Sequence, residues 1–220
     1  MTKKRLAVLI SGRGSNLQAL IAAAAGPAYP AEVALVLSNR ADAAGLTHAA
    51  RAGIAHRALA HPSQKAFAAA ADALLREHAI DLVALAGYMR LLDERFVESW
   101  RDRLVNIHPS LLPAFPGLHP QRQALAAGVR FSGCTVHFVR AEVDTGPIIA
   151  QAVVPVRPGD DEAALSARIL AAEHRLYPLA VHLLAEERLT LSGNSVVAAG
   201  AAAPDLALFN PLETLASAAG

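Results

Sequence analysis

Leu6-Ala7-Val8-Leu9-Ile10-Ser11-Gly12-Arg13-Gly14-Ser15-Asn16-Leu17 is the stretch whose reading decides the fold. Five consecutive apolar residues make a short, fully buried type of strand, and Leu17, Leu20 and Ile21 then recur at helical spacing. Between them lies a small polar turn with two glycines. Glycine allows a tight turn and close approach of the backbone to a ligand, and a helix start offers unpaired N–H groups and a positive dipole end. The turn therefore suits an anion, a phosphate above all. It matches neither GxGxxG nor GxxxxGK[ST], so a plain strand-to-helix turn capped by Ser15 stays open beside that reading.

Working outward, the rhythm repeats. Residues 32–37 form a second apolar strand closed by Ser38-Asn39-Arg40, and residues 41–52 read as a helix ending at Gly53. Residues 54–59 suit a third strand. Residues 63–78 suit a long helix capped by Ser63 after Pro62, with Phe67, Leu74 and Leu75 inward. Residues 81–86, apolar after Asp81, are again a fully buried type of strand and exit through Gly87-Tyr88-Met89-Arg90-Leu91-Leu92. Phe96, Val97 and Trp100 suit a short amphipathic helix, and residues 121–127 another that stops at Gly128. Residues 133–139 and 147–156 are strand-like with too short a link for a helical crossover, so an antiparallel pairing at a mixed sheet edge is expected. Residues 160–187 read as a long helix and 188–191 as a small strand. Such alternation argues for an α/β fold with a mostly parallel sheet covered on both faces, whose ligands bind beyond the carboxyl ends of the strands. A single domain over residues 1–192 is expected. Residues 193–220 then read as an Ala/Gly-rich tail, with Leu206, Leu208 and Phe209 able to dock.

Composition narrows the function. A net charge of +1 with scattered Lys and Arg gives no basic field for nucleic acid. One cysteine, Cys134, rules out an internal disulfide and fits a reducing compartment, with the cytoplasm as default. Neither a signal peptide nor a membrane-spanning apolar run is evident, so a soluble protein is expected.

The chemistry is concentrated in Val105-Asn106-Ile107-His108-Pro109-Ser110-Leu111-Leu112-Pro113. On an extended backbone, Asn106 and His108 face one side, which sets an amide donor beside an acid/base. Pro109, Pro113 and Pro116 stiffen the loop that follows. With Asp144 as a carboxylate to orient or charge-stabilise His108, the set suits acyl transfer. A bland alternative remains at this stage: His108 caps a turn, Asn106 satisfies local backbone and Asp144 opens an Asp-Thr-Gly turn. No GxSxG elbow is present, and Cys134 sits inside a strand-like run, so covalent catalysis is poorly supported. His108, His119 and His137 lack an HExxH pattern, and no metal site is expected.

Ile10-Ser11-Gly12-Arg13-Gly14-Ser15-Asn16-Leu17, Leu85-Ala86-Gly87-Tyr88-Met89-Arg90, the Asn106–Pro113 element, Pro116-Gly117-Leu118-His119, Val136-His137-Phe138-Val139, Asp144-Thr145-Gly146-Pro147 and Glu173-His174-Arg175-Leu176-Tyr177-Pro178 occur in this order. Over about residues 5–192 the chain closely resembles the phosphoribosylglycinamide formyltransferase family, folate-dependent enzymes of purine synthesis. The resemblance implies transfer of a formyl group from 10-formyltetrahydrofolate to the amine of glycinamide ribonucleotide, without a metal. It implies that Asn106 and His108 polarise the formyl oxygen, that Asp144 supports His108 and favours its charged form, and that an ordered water relays protons. Gly14, Ser15 and Asn16 would hold the ribonucleotide phosphate, and Glu173 would meet its ribose or glycinamide side. Met89, Arg90, Leu91, Leu92, Leu104, Asn106 and Val139 would line the pterin slot, with the loop from Arg140 to Asp144 folding over it. The implied fold is a three-layer α/β/α sheet of about seven strands, Rossmann-like in its N-terminal half, with one antiparallel strand near an edge and a cis peptide before Pro113. A monomer or homodimer is expected.

Departures fall on substrate binding. Where the family often has Ser-Arg-Glu-Ala before an aromatic residue, this chain has Ser63-Gln64-Lys65-Ala66-Phe67, so phosphate contact would pass to Gln64 and to Lys65 as a point charge rather than a fork. Gln121 stands where a second His usually follows His119, and Leu170 where a polar residue often helps hold the ribonucleotide. Competing readings are a formyltetrahydrofolate hydrolase, a methionyl-tRNA formyltransferase, for which the residues after Leu191 look too few and too uncharged, and a ligand-binding module without turnover.

Overall fold

Alternate residues of the first strand explain the layering. The computed structural model describes residues 2–61, 63–202, 205 and 207–210. Strand β1 (Lys4–Ile10) sends Leu6, Val8 and Ile10 into one buried cluster and Ala7 and Leu9 into another on the opposite face. Period-2 side-chain alternation in a strand buried on both faces requires this, and it places one core on each side of the sheet. The first core is closed by α1 (Ser15–Ala24), α2 (Gly45–Arg51), α5 (Pro120–Ala126) and α6 (Glu162–Ala185), the second by α3 (Gln64–Glu77) and α4 (Glu94–Ser99).

The remaining strands of the main sheet are β2 (Ala31–Ser38), β3 (Ala55–Ala58), β4 (Leu82–Leu85), β5 (Leu104–His108), β6 (Phe131–Phe138) and β7 (Ile148–Pro155). They lie in the order β3-β2-β1-β4-β5-β6-β7. Pairs from β3 through β5 are parallel, and β6 runs antiparallel to both neighbours, one strand in from the edge. The expected three-layer mixed sheet is thus observed. Strand order reverses between β1 and β4, and the crevice outside their carboxyl ends is where open α/β sheets bind ligands.

Local differences have local causes. The second helix spans residues 45–51 rather than 41–52, because Arg40 and Asp42 close a turn on each other and the Gly45 N–H is drawn to the Gly12 carbonyl (3.0 Å). In α3, Ser63 caps Ala66 N as expected, and Phe67 and Leu75 are buried while Leu74 is half-buried; Pro62 lies outside the described residues. The small strand β8 (Leu189–Ser192) has a partner that the sequence reading missed, β9 (Ser195–Ala198). A two-residue turn with Gly193 at φ +60° joins them, so the expected domain limit at residue 192 falls at the turn of a hairpin. Beyond it, Leu208 and Phe209 do not dock as expected: their side chains are 63% and 71% exposed. The contact is made instead by Asn210, whose amide donates to the Arg130 and Val156 carbonyls. Leu206 lies outside the described residues. Among the described residues no helix is long and apolar enough to cross a membrane.

Candidate active site

Sheet register assembles the acid/base cluster. Asn106 and His108 stand two apart on β5 and share a side, with His108 only 6% exposed. Antiparallel pairing sets His137 opposite Asn106 and Thr135 opposite His108. His137 Nε2 is 3.3 Å from Asn106 Nδ2. Asp144, on the link between β6 and β7, brings one carboxylate oxygen to 3.3 Å from His108 Nδ1 and the other to 3.6 Å from His137 Nε2. The Gly117 N–H donates to the same carboxylate (2.9 Å), so the proline loop and the β6–β7 link are tied together at Asp144. Asp144 holds a left-handed backbone at φ +56°, uncommon outside glycine and most tolerated by Asn and Asp.

The loop after His108 is pinned from below. Thr135 Oγ1 donates to Ser110 O (2.7 Å) and accepts from Leu112 N (3.0 Å), and Ser110 Oγ donates to Ala114 O (2.6 Å). The Leu112–Pro113 peptide is cis, as expected.

Burial sets the charge state of the cluster. Desolvation draws the His108 pKa below its usual 6.5, outweighing the opposing pull of the Phe115 carbonyl and the Asp144 charge. Asp144 pulls the His108 pKa upward, as expected, but burial is the larger effect and the net shift is downward. Burial also works to raise Asp144, but hydrogen bonds from His137 and from the Gly117 N–H prevail and hold its carboxyl below the usual range. Both nitrogens of His108 face acceptors, Nδ1 the carboxylate and Nε2 the Phe115 carbonyl at 3.0 Å. A neutral ring has one N–H and satisfies one of them; a protonated ring satisfies both. The pocket therefore offers a protonated His108 a partner at each nitrogen. Asn106 keeps a second amide hydrogen beyond the one facing His137, available to an oxyanion.

A second group forms where α1 meets α6. Asn16 Nδ2 donates to Glu173 Oε2 (2.7 Å), both residues being buried, and Asn16 Oδ1 is buried with no partner among the described residues. Burial raises the Glu173 pKa, against the partial offset of the Asn16 bond. Burial, with the neighbouring Glu173 charge, pushes the Cys134 thiol up to about 12, which keeps it inert. Gly14 begins the helix at φ +76°, and no side chain caps it, so Ser15 does not act as the cap. A Cβ on Gly14 would meet Gly45 Cα at 2.7 Å, and one on Gly45 would meet Ile10 Cδ1 at 2.5 Å. Only glycine at both positions permits this close packing of turn against α2. Gln64 and Lys65 are exposed in the first turn of α3 and share no hydrogen bond with the Gly14 turn.

The proposed slot residues divide. Met89 and Leu91 are open to solvent at 67% and 60%, Leu92 and Val139 are half-buried, and Leu104 is wholly buried beneath them with its carbonyl taken by Val139 N (2.9 Å). Arg90 donates to His61 O (3.1 Å), and Arg140 holds Asp102 (2.6 Å). A cleft of about 530 Å³ separates α4 from the loop of residues 140–145, with Val97, Arg101, Arg140, Ala141 and Glu142 among its walls. Sequence reading missed three contributors here: His137, Gly45 and the α4 wall. His137 alone carried a signal, its place in Val136-His137-Phe138-Val139. Among the described residues no group of three or more His, Cys, Asp and Glu gathers to hold a metal.

Residues 4–181 match the family of formyl transferases. The chain belongs to the formyl transferase family. Among its relatives, the phosphoribosylglycinamide formyltransferase of Escherichia coli (strain K12) is 47% identical over 193 residues, 86% of this formyl transferase and 91% of that protein. The trifunctional purine biosynthetic protein adenosine-3 of Drosophila pseudoobscura pseudoobscura is 53% identical over 192 residues, 85% of this chain but only 14% of its own length. This formyl transferase thus spans a small part of the trifunctional relatives it matches. The crystal structure of glycinamide ribonucleotide transformylase 1 from Symbiobacterium toebii aligns with a TM-score of 0.86 at 53% identity, covering 89% of this chain and 94% of that one.

Proposed function

We propose that this formyl transferase moves the formyl group of 10-formyltetrahydrofolate onto the amine of glycinamide ribonucleotide, in purine synthesis. The observation that carries the reading is the Asn106–His108–Asp144 cluster at the carboxyl end of β5, with His108 buried and Asp144 3.3 Å from it. Similarity to the Escherichia coli enzyme over nearly its full length supports the choice of substrates.

In this reading the substrate amine attacks the formyl carbon directly. The new C–N bond forms as the carbonyl oxygen becomes an oxyanion, which takes a hydrogen bond from Asn106. His108, neutral at rest, accepts a proton from the attacking amine with a water as relay, and Asp144 compensates the imidazolium. Breakage of the bond to folate N10, with a proton passed to that nitrogen, releases tetrahydrofolate. The chemistry needs no metal. Gly14, Ser15 and Asn16 would hold the phosphate, with Lys65 adding positive charge and Gln64 a polar contact. Glu173, whose pKa burial raises, would meet the ribose or glycinamide end. The pterin would enter between Met89–Leu92 and the loop closed by Arg140 and Asp144, over Val139 and the buried Leu104. We place the protein in the cytoplasm as a monomer or homodimer, without nucleic-acid or membrane partners, over one catalytic unit at residues 1–192.

A spectrophotometric transfer assay tests this, comparing no acceptor, glycinamide ribonucleotide and unphosphorylated glycinamide riboside. Turnover that requires the ribonucleotide is expected. Equal deformylation without acceptor would replace the transferase by a hydrolase.

A further inference from the structure

We propose that Ser11 is a positioning residue that ties the ribonucleotide turn to the folate slot, so that one hydroxyl sets the affinity for both substrates; this rests on the function proposed above. Ser11 sits at the carboxyl end of β1, at the switch point of the sheet, and is 7% exposed. Its hydroxyl donates to Asn39 Oδ1 (2.6 Å) at the exit of β2 and accepts from Met89 N (2.8 Å) at the exit of β4. Its own N–H donates to Gly87 O (3.2 Å). The hydroxyl has one hydrogen, committed to Asn39, which leaves a lone pair aimed at Met89 N. Three strand exits therefore meet at one side chain.

The β4 exit needs such a tether. From Gly87 to Asp93 no side chain is fully buried; Tyr88, against the Phe67 ring, and Leu92 rest on the core, while Met89 and Leu91 between them are exposed. The polar anchors of the segment are Met89 N on Ser11, Ser11 N on Gly87, and Arg90 on His61 O. On the other side, Ser11 leads directly into Gly12, whose carbonyl takes Gly45 N, and into Gly14 and the start of α1. Loosening Ser11 thus loosens the phosphate turn and the slot wall together, while leaving Asn106, His108 and Asp144 on β5 and the β6–β7 link untouched.

The experiment is Ser11→Ala, with Asn39→Ala as a second variant that removes only the acceptor of the hydroxyl hydrogen, and Asp161→Ala as a control that removes a helix cap from α6. KM and kcat are measured for glycinamide ribonucleotide and 10-formyltetrahydrofolate, and calorimetric dissociation constants for the ribonucleotide and tetrahydrofolate are taken singly. Ser11→Ala should raise both KM values and both dissociation constants by about 5-fold, the scale of one hydrogen bond, with kcat within about 2-fold. Asn39→Ala should raise both by less, and Asp161→Ala neither. Unchanged affinities in Ser11→Ala, a rise for only one ligand, or an equal rise in Asp161→Ala would overturn the proposal; if Ser11→Ala does not fold, unchanged affinities in Asn39→Ala would do so. A native protein that binds both ligands without transferring would refute the proposed function and leave the affinities to judge Ser11.

Discussion

Replacing Asp144 by Asn keeps the shape of the side chain and an oxygen to accept from Gly117 N, but removes the charge that faces His108 at 3.3 Å. Both side chains are below a tenth exposed, so an effective dielectric of about 20 is appropriate, and Coulomb's law then gives about 5 kcal/mol between the carboxylate and a protonated His108. That is an upper bound. A hydrogen bond to a charged group, worth about 1.5–3 kcal/mol, supplies the lower one. At 1.36 kcal/mol per decade, the range is about 10-fold to about 5,000-fold in kcat/KM, and we expect a loss of about 100-fold or more. The carboxylate also pulls the His108 pKa upward, against burial. Its removal should therefore shift the acid limb of the pH–rate profile to still lower pH while the plateau falls. Rates across pH 4–9 on both proteins, with thermal unfolding as a fold check, decide the matter. A plateau within about 3-fold of native, or an acid limb displaced upward, would refute the role given to Asp144.

Three further outcomes follow from the same geometry. In the native enzyme, a base whose pKa lies below 6.5 loses activity as pH falls through that lowered value, so the acid limb of kcat/KM should have its midpoint below pH 6.5. Gly45→Ala sets a Cβ about 2.5 Å from Ile10 Cδ1 and should cost about 1–3 kcal/mol on unfolding by denaturant, with a raised KM for the ribonucleotide because α2 is pressed off the phosphate turn. The Glu173 pKa is raised in the fold, so above its unfolded value of about 4.5 the unfolded chain ionises first and native stability declines as pH rises. Glu173→Gln abolishes that slope, and stability relative to native should climb between pH 4.5 and 8 even as ribonucleotide affinity falls; a constant difference across that range would sink the assignment.

What could be read in the chain and what could not divide along a physical line. Periodicity is local, and the run from Leu6 to Ile10, the apolar stretch at 82–86 and the short link between the last two strands of the sheet were enough for a mostly parallel sheet with an antiparallel pairing at a mixed edge. Asn106 and His108 could be paired on paper because residues two apart on a strand must share a face. Asn16 and Glu173 are 157 positions apart, and only the packing of α1 on α6 brings them to 2.7 Å. His137 joins Asn106 and Asp144 through antiparallel register, and a slip of one residue would have turned it to the opposite face. Gly45 and Gly14 owe their identity to a close approach that no local rule contains. The charge of His108 shows the limit most plainly. Sequence alone showed a carboxylate that favours the charged ring and left the role of His108 open; burial, a property of the whole tertiary structure, carries the larger effect and draws the pKa down.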